Sequence, residues 1–263
     1  MIDADDLWTT MLEEARIMEA KEPALADFLN VQILQKPNLV NALADNLSSH
    51  FLKIPTYEID LEKIFAELLS LNNDIVQRAC RDLKAYVDRD PACDYYVTPL
   101  LFYKGFQALQ LYRICHSLWS RDQRHLARYL QSKMSENYGV DIHPGAVIGG
   151  GVMLDHATSL VIGETAVVGD NVSILHSVTL GGSGLQSGDR HPKIANGVLI
   201  AAGATVLGNI DVGEGVKIGA GSLVLESVPA YVTVAGVPAK IIGGSTFGMP
   251  ALDMNQQIND EGI

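Results

Sequence analysis

Positive charge is scarce in this chain: 19 Lys and Arg stand against 31 Asp and Glu, a formal net charge of -12 over 263 residues. Nucleic acid and anionic membranes both call for a basic footprint, so neither is expected as a partner. A small polyanion held by a few local lysines remains compatible with that balance. Cysteine is equally thin. Cys80, Cys93 and Cys115 are the 3 present, far apart and without CxxC spacing, which points to reduced, buried thiols rather than a disulfide framework. No run of about 18 apolar residues occurs, so no transmembrane helix is expected. The start, Met1-Ile2-Asp3-Ala4-Asp5-Asp6, lacks the basic-then-apolar order of a secretion signal. Cytoplasm is the simplest reading of these absences. The length suffices for two domains with proper cores.

What is present is a period of six. From Ile142 to Val224 an aliphatic residue returns at that step: Ile142, Ile148 and Leu154, then Ile162 to Leu180, then Ile194 to Val224. Small or branched residues recur four places further on, among them Ala146, Val152, Val178 and Ala204. Six is neither a helical period nor strand alternation. It is the hexapeptide signature of a parallel β-helix, whose coils of roughly 18 residues stack their aliphatic positions along one axis.

The phase breaks twice. Leu154 and Ile162 are separated by two residues too many, and Leu180 and Ile194 by eight, which places a loop at 181–193. Insertions leave a solenoid at its corners and commonly build the functional face. Both breaks carry chemistry: Asp155-His156 at the first, Asp189-Arg190-His191 at the second. The solenoid histidines, His143, His156, His176 and His191, lack the closely spaced pair of a β-helix zinc site, so no metal is expected.

Residues 1–138 read as an all-helical domain. Leu61, Ile64, Phe65, Leu68 and Leu69 form an apolar face, as do Trp8, Met11, Leu12 and Ala15. Thr98-Pro99 is expected to cap a helix running to about Trp119, and a last helix reaches Tyr138. Such a domain would cap the open end of the solenoid and offer a platform for self-association. Asp88, Asp90 and Asp94 crowd one turn, solvated or projecting into a site. Residues 139–244 are the β-helix domain. Residues 245–263 are polar and aperiodic, expected to be a flexible tail ending in an exposed Ile263, which is frayed or a peptide ligand.

Acyl transfer to a hydroxyl or amine needs a general base, an orienting carboxylate and oxyanion donors. His156 with Asp141 suits the first two roles, since their separation is close to one coil and can bring both to a shared corner. A corner histidine bonded to a backbone carbonyl has the same spacing.

Longer stretches carry a resemblance: Asp88-Arg89-Asp90-Pro91, Lys104-Gly105-Phe106-Gln107, Val140-Asp141-Ile142-His143-Pro144, Asp155-His156-Ala157-Thr158, Gly188-Asp189-Arg190-His191-Pro192-Lys193 and Ala235-Gly236-Val237-Pro238-Ala239-Lys240. The chain resembles the serine O-acetyltransferases of the hexapeptide-repeat acyltransferase superfamily. The resemblance implies an α+β fold: a helical N-terminal domain, then a left-handed parallel β-helix. It also implies direct acetyl transfer from acetyl-CoA to L-serine, with no tightly bound cofactor. His156, oriented by Asp141, would be catalytic; Asp90 and Asp155 would hold the serine ammonium; Arg190 and His191 would grip its carboxylate. For the thioester partner, Gly182 and Ser183 allow close backbone approach, Ala202 and Ala220 could line a groove, and Lys217 and Lys240 could meet phosphates. His143 and His176 receive no role. Further implications are L-cysteine as feedback inhibitor, O-acetylserine sulfhydrylase as a partner through the tail, and a homotrimer or dimer of trimers. Two rivals stand: a hexapeptide acetyltransferase for another small hydroxyl or amine acceptor, and a non-catalytic scaffold for the sulfhydrylase.

Overall fold

The computed structural model describes residues 3–50, 59–184, 187–244 and 248–257. The first half is helical: α1 (Ala4–Lys21), α2 (Ala26–Leu29) with a π-type turn at Asn30–Leu34, α3 (Leu39–Ser49), α4 (Leu61–Leu71), α5 (Asn73–Arg89), α6 (Val97–Phe102), α7 (Lys104–Ser120) and α8 (Arg124–Tyr138). Asp3, Asn38 and Asp60 cap α1, α3 and α4, each accepting a backbone N–H of the first turn at 2.8–3.0 Å. The expected apolar faces are buried, with Trp8, Met11, Phe65 and Leu68 in the core. None of the described helices is long and apolar enough to cross a membrane.

One helix expected as continuous is broken. Thr98 lies inside α6, and Tyr103 takes an extended conformation before α7 begins at Lys104. The break lets the start of α7 press against the solenoid. A Cβ on Gly105 would fall 2.0 Å from the Leu154 carbonyl oxygen, so only glycine permits this approach.

Gly139, in the left-handed region at φ 66°, ends α8 and turns the chain into the solenoid. The first coil is β1 (Val140–Ile142), β2 (Val147–Ile148) and β3 (Met153–Leu154); the second is β4 (Leu160–Ile162), β5 (Val167–Val168) and β6 (Ser173–Ile174). The third is β7 (Thr179–Gly181), β8 (Lys193–Ile194) and β9 (Leu199–Ile200); the fourth is β10 (Thr205–Leu207), β11 (Asp211–Val212) and β12 (Lys217–Ile218). β13 (Leu223–Val224) and the hairpin β14 (Val232–Gly236) and β15 (Ala239–Gly244) finish it. These strands make three sheets, parallel except for the final hairpin.

The registers display the phase breaks directly. Val206 pairs with Val224 and Ile200 with Ile218, the step of an uninterrupted coil. Ile142 pairs with Ile162, a step lengthened by the first insertion, and Val168 pairs with Ile194, a step lengthened by the second. Every aliphatic residue of the six-residue series is buried.

A buried ion pair joins the two halves. Arg113 on α7 donates from Nε and Nη2 to Asp82 Oδ2 of α5 at 3.1 and 2.6 Å, and to the carbonyls of Ile148 and Gly149. Asp82 in turn accepts from Gln110 and from the Val152 N–H. Both charges are therefore saturated where no water reaches them.

The segment expected to be a flexible tail is packed where it is described. Residues Pro250–Asp253 form one helical turn, α9, with Ala251 buried and its carbonyl accepting from Ser173 Oγ at 2.8 Å. Backbone carbonyls make the anchor, which explains why side-chain composition did not reveal it. Ile263 lies outside the described residues.

Candidate active site

A cleft of about 750 Å³ opens between the helical half and the first coil. Its walls include Arg89 and Asp90 at the end of α5, Tyr103 and Lys104 at the α6–α7 break, Asp155 and His156 after β3, and Asp253 and Met254 of the C-terminal segment. The two-residue insertion creates the corner that carries His156. His156 and Ala157 both lie in the left-handed region, at φ 56° and 54°, a conformation L side chains rarely adopt. The turn projects the imidazole outward, 75% exposed, with Nε2 3.7 Å from Asp155 Oδ1.

Charge in the cleft is set by burial. Asp155 is held above the usual carboxylate range, first by burial; His156 acts in the opposite direction and the nearby Asp90 raises it further. Tyr103 is pushed up to about 12 by burial and then by Asp90. Arg89, almost fully buried, hydrogen bonds Ser173 Oγ at 3.1 Å, the same hydroxyl that anchors α9. The cleft thus holds three carboxylates, Asp90, Asp155 and Asp253, of which the first two lie on the walls that flank His156, and an exposed imidazole of the kind that serves as a general base.

Other expected site residues gather elsewhere on the chain. Asp141 does not line this cleft; its carboxylate accepts from Gln131 Nε2 at 2.7 Å, and it borders a shallow depression with Arg128 and His143. The expected pairing with His156 is not made within the chain. The register explains why: Asp141 stacks on Val161, beyond His156 in the chain, so His156 is left at the preceding corner. Asp155 is the carboxylate that accompanies His156.

Arg190 binds Glu164 Oε2 at 2.8 Å, and that bond holds Glu164 below the usual carboxylate range. His191 is buried, with its ring filling the space a Cβ on Gly163 would occupy. Its Nδ1 accepts from the Thr165 N–H at 3.2 Å, which assigns the proton of the neutral ring to Nε2. Burial, then Arg190, lowers its affinity for a second proton. His143, also lowered by burial, feels Glu164, Asp141 and Arg190. The site residues therefore form two groups, one around His156 and one around Asp141, Glu164, Arg190 and His191.

The residues expected to meet the thioester partner are dispersed. Gly182 and Ser183 lead into the long loop, Ala202 and Ala220 lie at corners, and Lys240 is exposed beside a second cavity at the foot of the solenoid. Lys217 donates to the Gln257 carbonyl at 3.0 Å. Sequence reasoning missed Tyr103, Lys104 and Glu164; Lys104 gave no signal, because the expected helix ran straight through it and only the break at Tyr103 makes it a helix start. It also gave His176 no role, although its ring sits 6.0 Å from that of His156.

Comparison with known proteins agrees with this architecture. Residues 7–111 match the family model described as serine acetyltransferase, N-terminal, and residues 191–226 match the bacterial transferase hexapeptide (six repeats). A serine acetyltransferase of Salmonella typhimurium is 49% identical over 253 residues, 96% of this chain and 93% of that protein. The crystal structure of the Vibrio cholerae enzyme superposes with a TM-score of 0.95 at 48% identity, covering 98% of this chain and all of its own. A Brucella abortus serine acetyltransferase in complex with coenzyme A has a TM-score of 0.89 at 47% identity, covering 93% and 97% of the two chains. One from Neisseria gonorrhoeae in complex with serine has a TM-score of 0.86 at 50% identity, covering 90% and 97%. With nearly half of its residues shared along almost its whole length, and the same left-handed hexapeptide β-helix behind a helical domain, this chain belongs to the serine acetyltransferase family.

Proposed function

We propose that the cleft is where this chain acetylates the hydroxyl of L-serine, with acetyl-CoA as the acetyl donor. The observation that carries this reading is the exposed imidazole of His156 beside two carboxylates, Asp90 and Asp155, in one cleft. His156 takes the hydroxyl proton as the serine oxygen bonds to the thioester carbonyl carbon. The C–S bond then breaks and the imidazolium returns the proton to the departing thiolate, so the enzyme ends as it began. Asp90 and Asp155 pair with the serine ammonium, which discharges the repulsion between them. L-cysteine offers the same ammonium and carboxylate and is expected to compete.

The second group of residues completes the site from a neighbouring copy. Arg190 and His191 grip the serine carboxylate, and Asp141 orients the imidazole of that neighbour. This is the reason for reading the protein as a homotrimer packed through its β-helices; doubling through the helical halves and docking of O-acetylserine sulfhydrylase on the C-terminal residues are further parts of the proposal. Gly182, Ser183, Ala202, Lys217, Ala220 and Lys240 are assigned to coenzyme A. The test is release of free CoA from acetyl-CoA, followed with L-serine and with sugar or amine acceptors. Serine-dependent release supports the reading, and equal or greater rates with another acceptor overturn it.

A further inference from the structure

Lys104 is the first residue of α7, the end of a helix at which unpaired N–H groups disfavour a cation. Among the described residues it has no carboxylate within ion-pair distance; its partner is the Thr158 hydroxyl, Nζ to Oγ1 at 2.5 Å. Thr158 leans in turn on the His156 carbonyl, Oγ1 to O at 3.5 Å. A route of contacts therefore runs from the helical half into the backbone of the residue that carries the imidazole.

That backbone needs holding. His156, Ala157 and Ser159 are all left-handed, at φ 56°, 54° and 61°. The solenoid secures the turn from its own side: the Ser159 N–H donates to Gly139 O, and the Ser177 N–H to Thr158 O, both at 2.7 Å. From the facing side, Lys104 supplies the contact. Its backbone position is set by the next residue, Gly105, which is pressed onto Leu154.

We propose that Lys104 is a positioning residue for His156: through Thr158 it locks the left-handed turn that carries the imidazole. Asp155 on its own turn, Asp90 and Arg89 from the end of α5, Tyr103 and Asp253 line the same cleft, and the ring of His176 lies 6.0 Å from that of His156. Lys104 is the cation whose own partner sits on the His156 turn. The inference rests on the proposed role of His156, and it is tested so that the two can fail separately.

The experiment compares Lys104→Met, Thr158→Val, Thr158→Ser and His156→Ala in the full chain, measuring CoA release and thermal stability. Misplacing a reacting group by an ångström costs up to about 100-fold, so Lys104→Met and Thr158→Val are each expected to lower kcat about 10- to 100-fold. The KM for serine should change less than about threefold, and Thr158→Ser should retain most activity. Activity in Lys104→Met and Thr158→Val within twofold of the parent, with His156→Ala inactive, overturns the inference and leaves the acetyl-transfer reading standing. Loss in Lys104→Met with a lowered melting temperature and a serine KM raised more than about threefold makes it a packing residue and also overturns the inference. An active His156→Ala removes the reading itself.

Discussion

The hydroxyl of Tyr86 bonds one residue in both directions: it donates to the Leu154 carbonyl at 2.9 Å and accepts from the Leu154 N–H at 3.2 Å. Leu154 immediately precedes Asp155 and His156, so a fully buried phenol on α5 fixes the strand from which the candidate site springs. Tyr86→Phe would leave a buried donor and a buried acceptor without partners. A loss of about 1–3 kcal/mol in denaturant unfolding is expected, with a fall in turnover. Unchanged stability would show that water replaces the phenol.

The Asp82–Arg113 pair is a second junction between the halves. Arg113→Met removes one charge and strands the other where it is wholly buried. The expected cost is about 3–5 kcal/mol, read from the urea midpoint. Replacing both together with well-packed apolar residues should cost much less, because the penalty lies in the orphaned ion.

Gly105→Ala inverts the usual helix rule. Alanine is the better helix former, yet its Cβ would meet the Leu154 carbonyl at 2.0 Å, an atom of the backbone that cannot step aside. The variant should melt lower than the parent and lose activity as α7 shifts from β3. A higher melting temperature would show that the contact between α7 and β3 is looser than described.

His156→Ala should lower turnover by a factor on the order of 10² to 10⁴, the usual contribution of general acid–base catalysis. An unchanged rate in a CoA-release assay would remove it from the mechanism.

Asp155 gives a pH dependence with a definite sign. Burial first, and Asp90 after it, hold its carboxyl above the ordinary range, and the ionised form is the one that pairs with an ammonium. The KM for serine should therefore climb as pH falls, starting at a higher pH than the ordinary value of about 3.9 would give. Asp90→Asn removes the like charge that favours the neutral acid, so the onset should move to lower pH even as serine binds more weakly. Serine KM measured across the acid range in both proteins decides it; an onset that stays put or rises contradicts the coupling.

Much of this was visible before any coordinates. The period of six marked the aliphatic residues along the solenoid axis, and its two interruptions became the lengthened registers seen between β1 and β4 and between β5 and β8. Periodicity is a property of stacked coils, so a sequence records it residue by residue. The pairing of Asp141 with His156 was not readable in the same way. Their separation resembles a coil only if the insertion is ignored, and the angular position of a corner depends on every residue inserted before it. The helix break at Tyr103 was hidden for another reason: it follows from a contact with Leu154, far along the chain, rather than from local preference. The packed turn at α9 depends on carbonyl oxygens, which every residue possesses and none advertises.

The antiparallel hairpin of β14 and β15 has a consequence for assembly. Each coil of a parallel solenoid offers the next an unsatisfied ladder of amides, an invitation to end-to-end polymerisation. In the sheet of β3, β6, β9 and β12, β15 occupies the terminal place with reversed direction, a register shift at Thr233/Val234 and an exposed Lys240. A charged, kinked edge of opposite polarity is a poor template, so on this sheet the stack terminates itself and fibre growth from the foot is blocked.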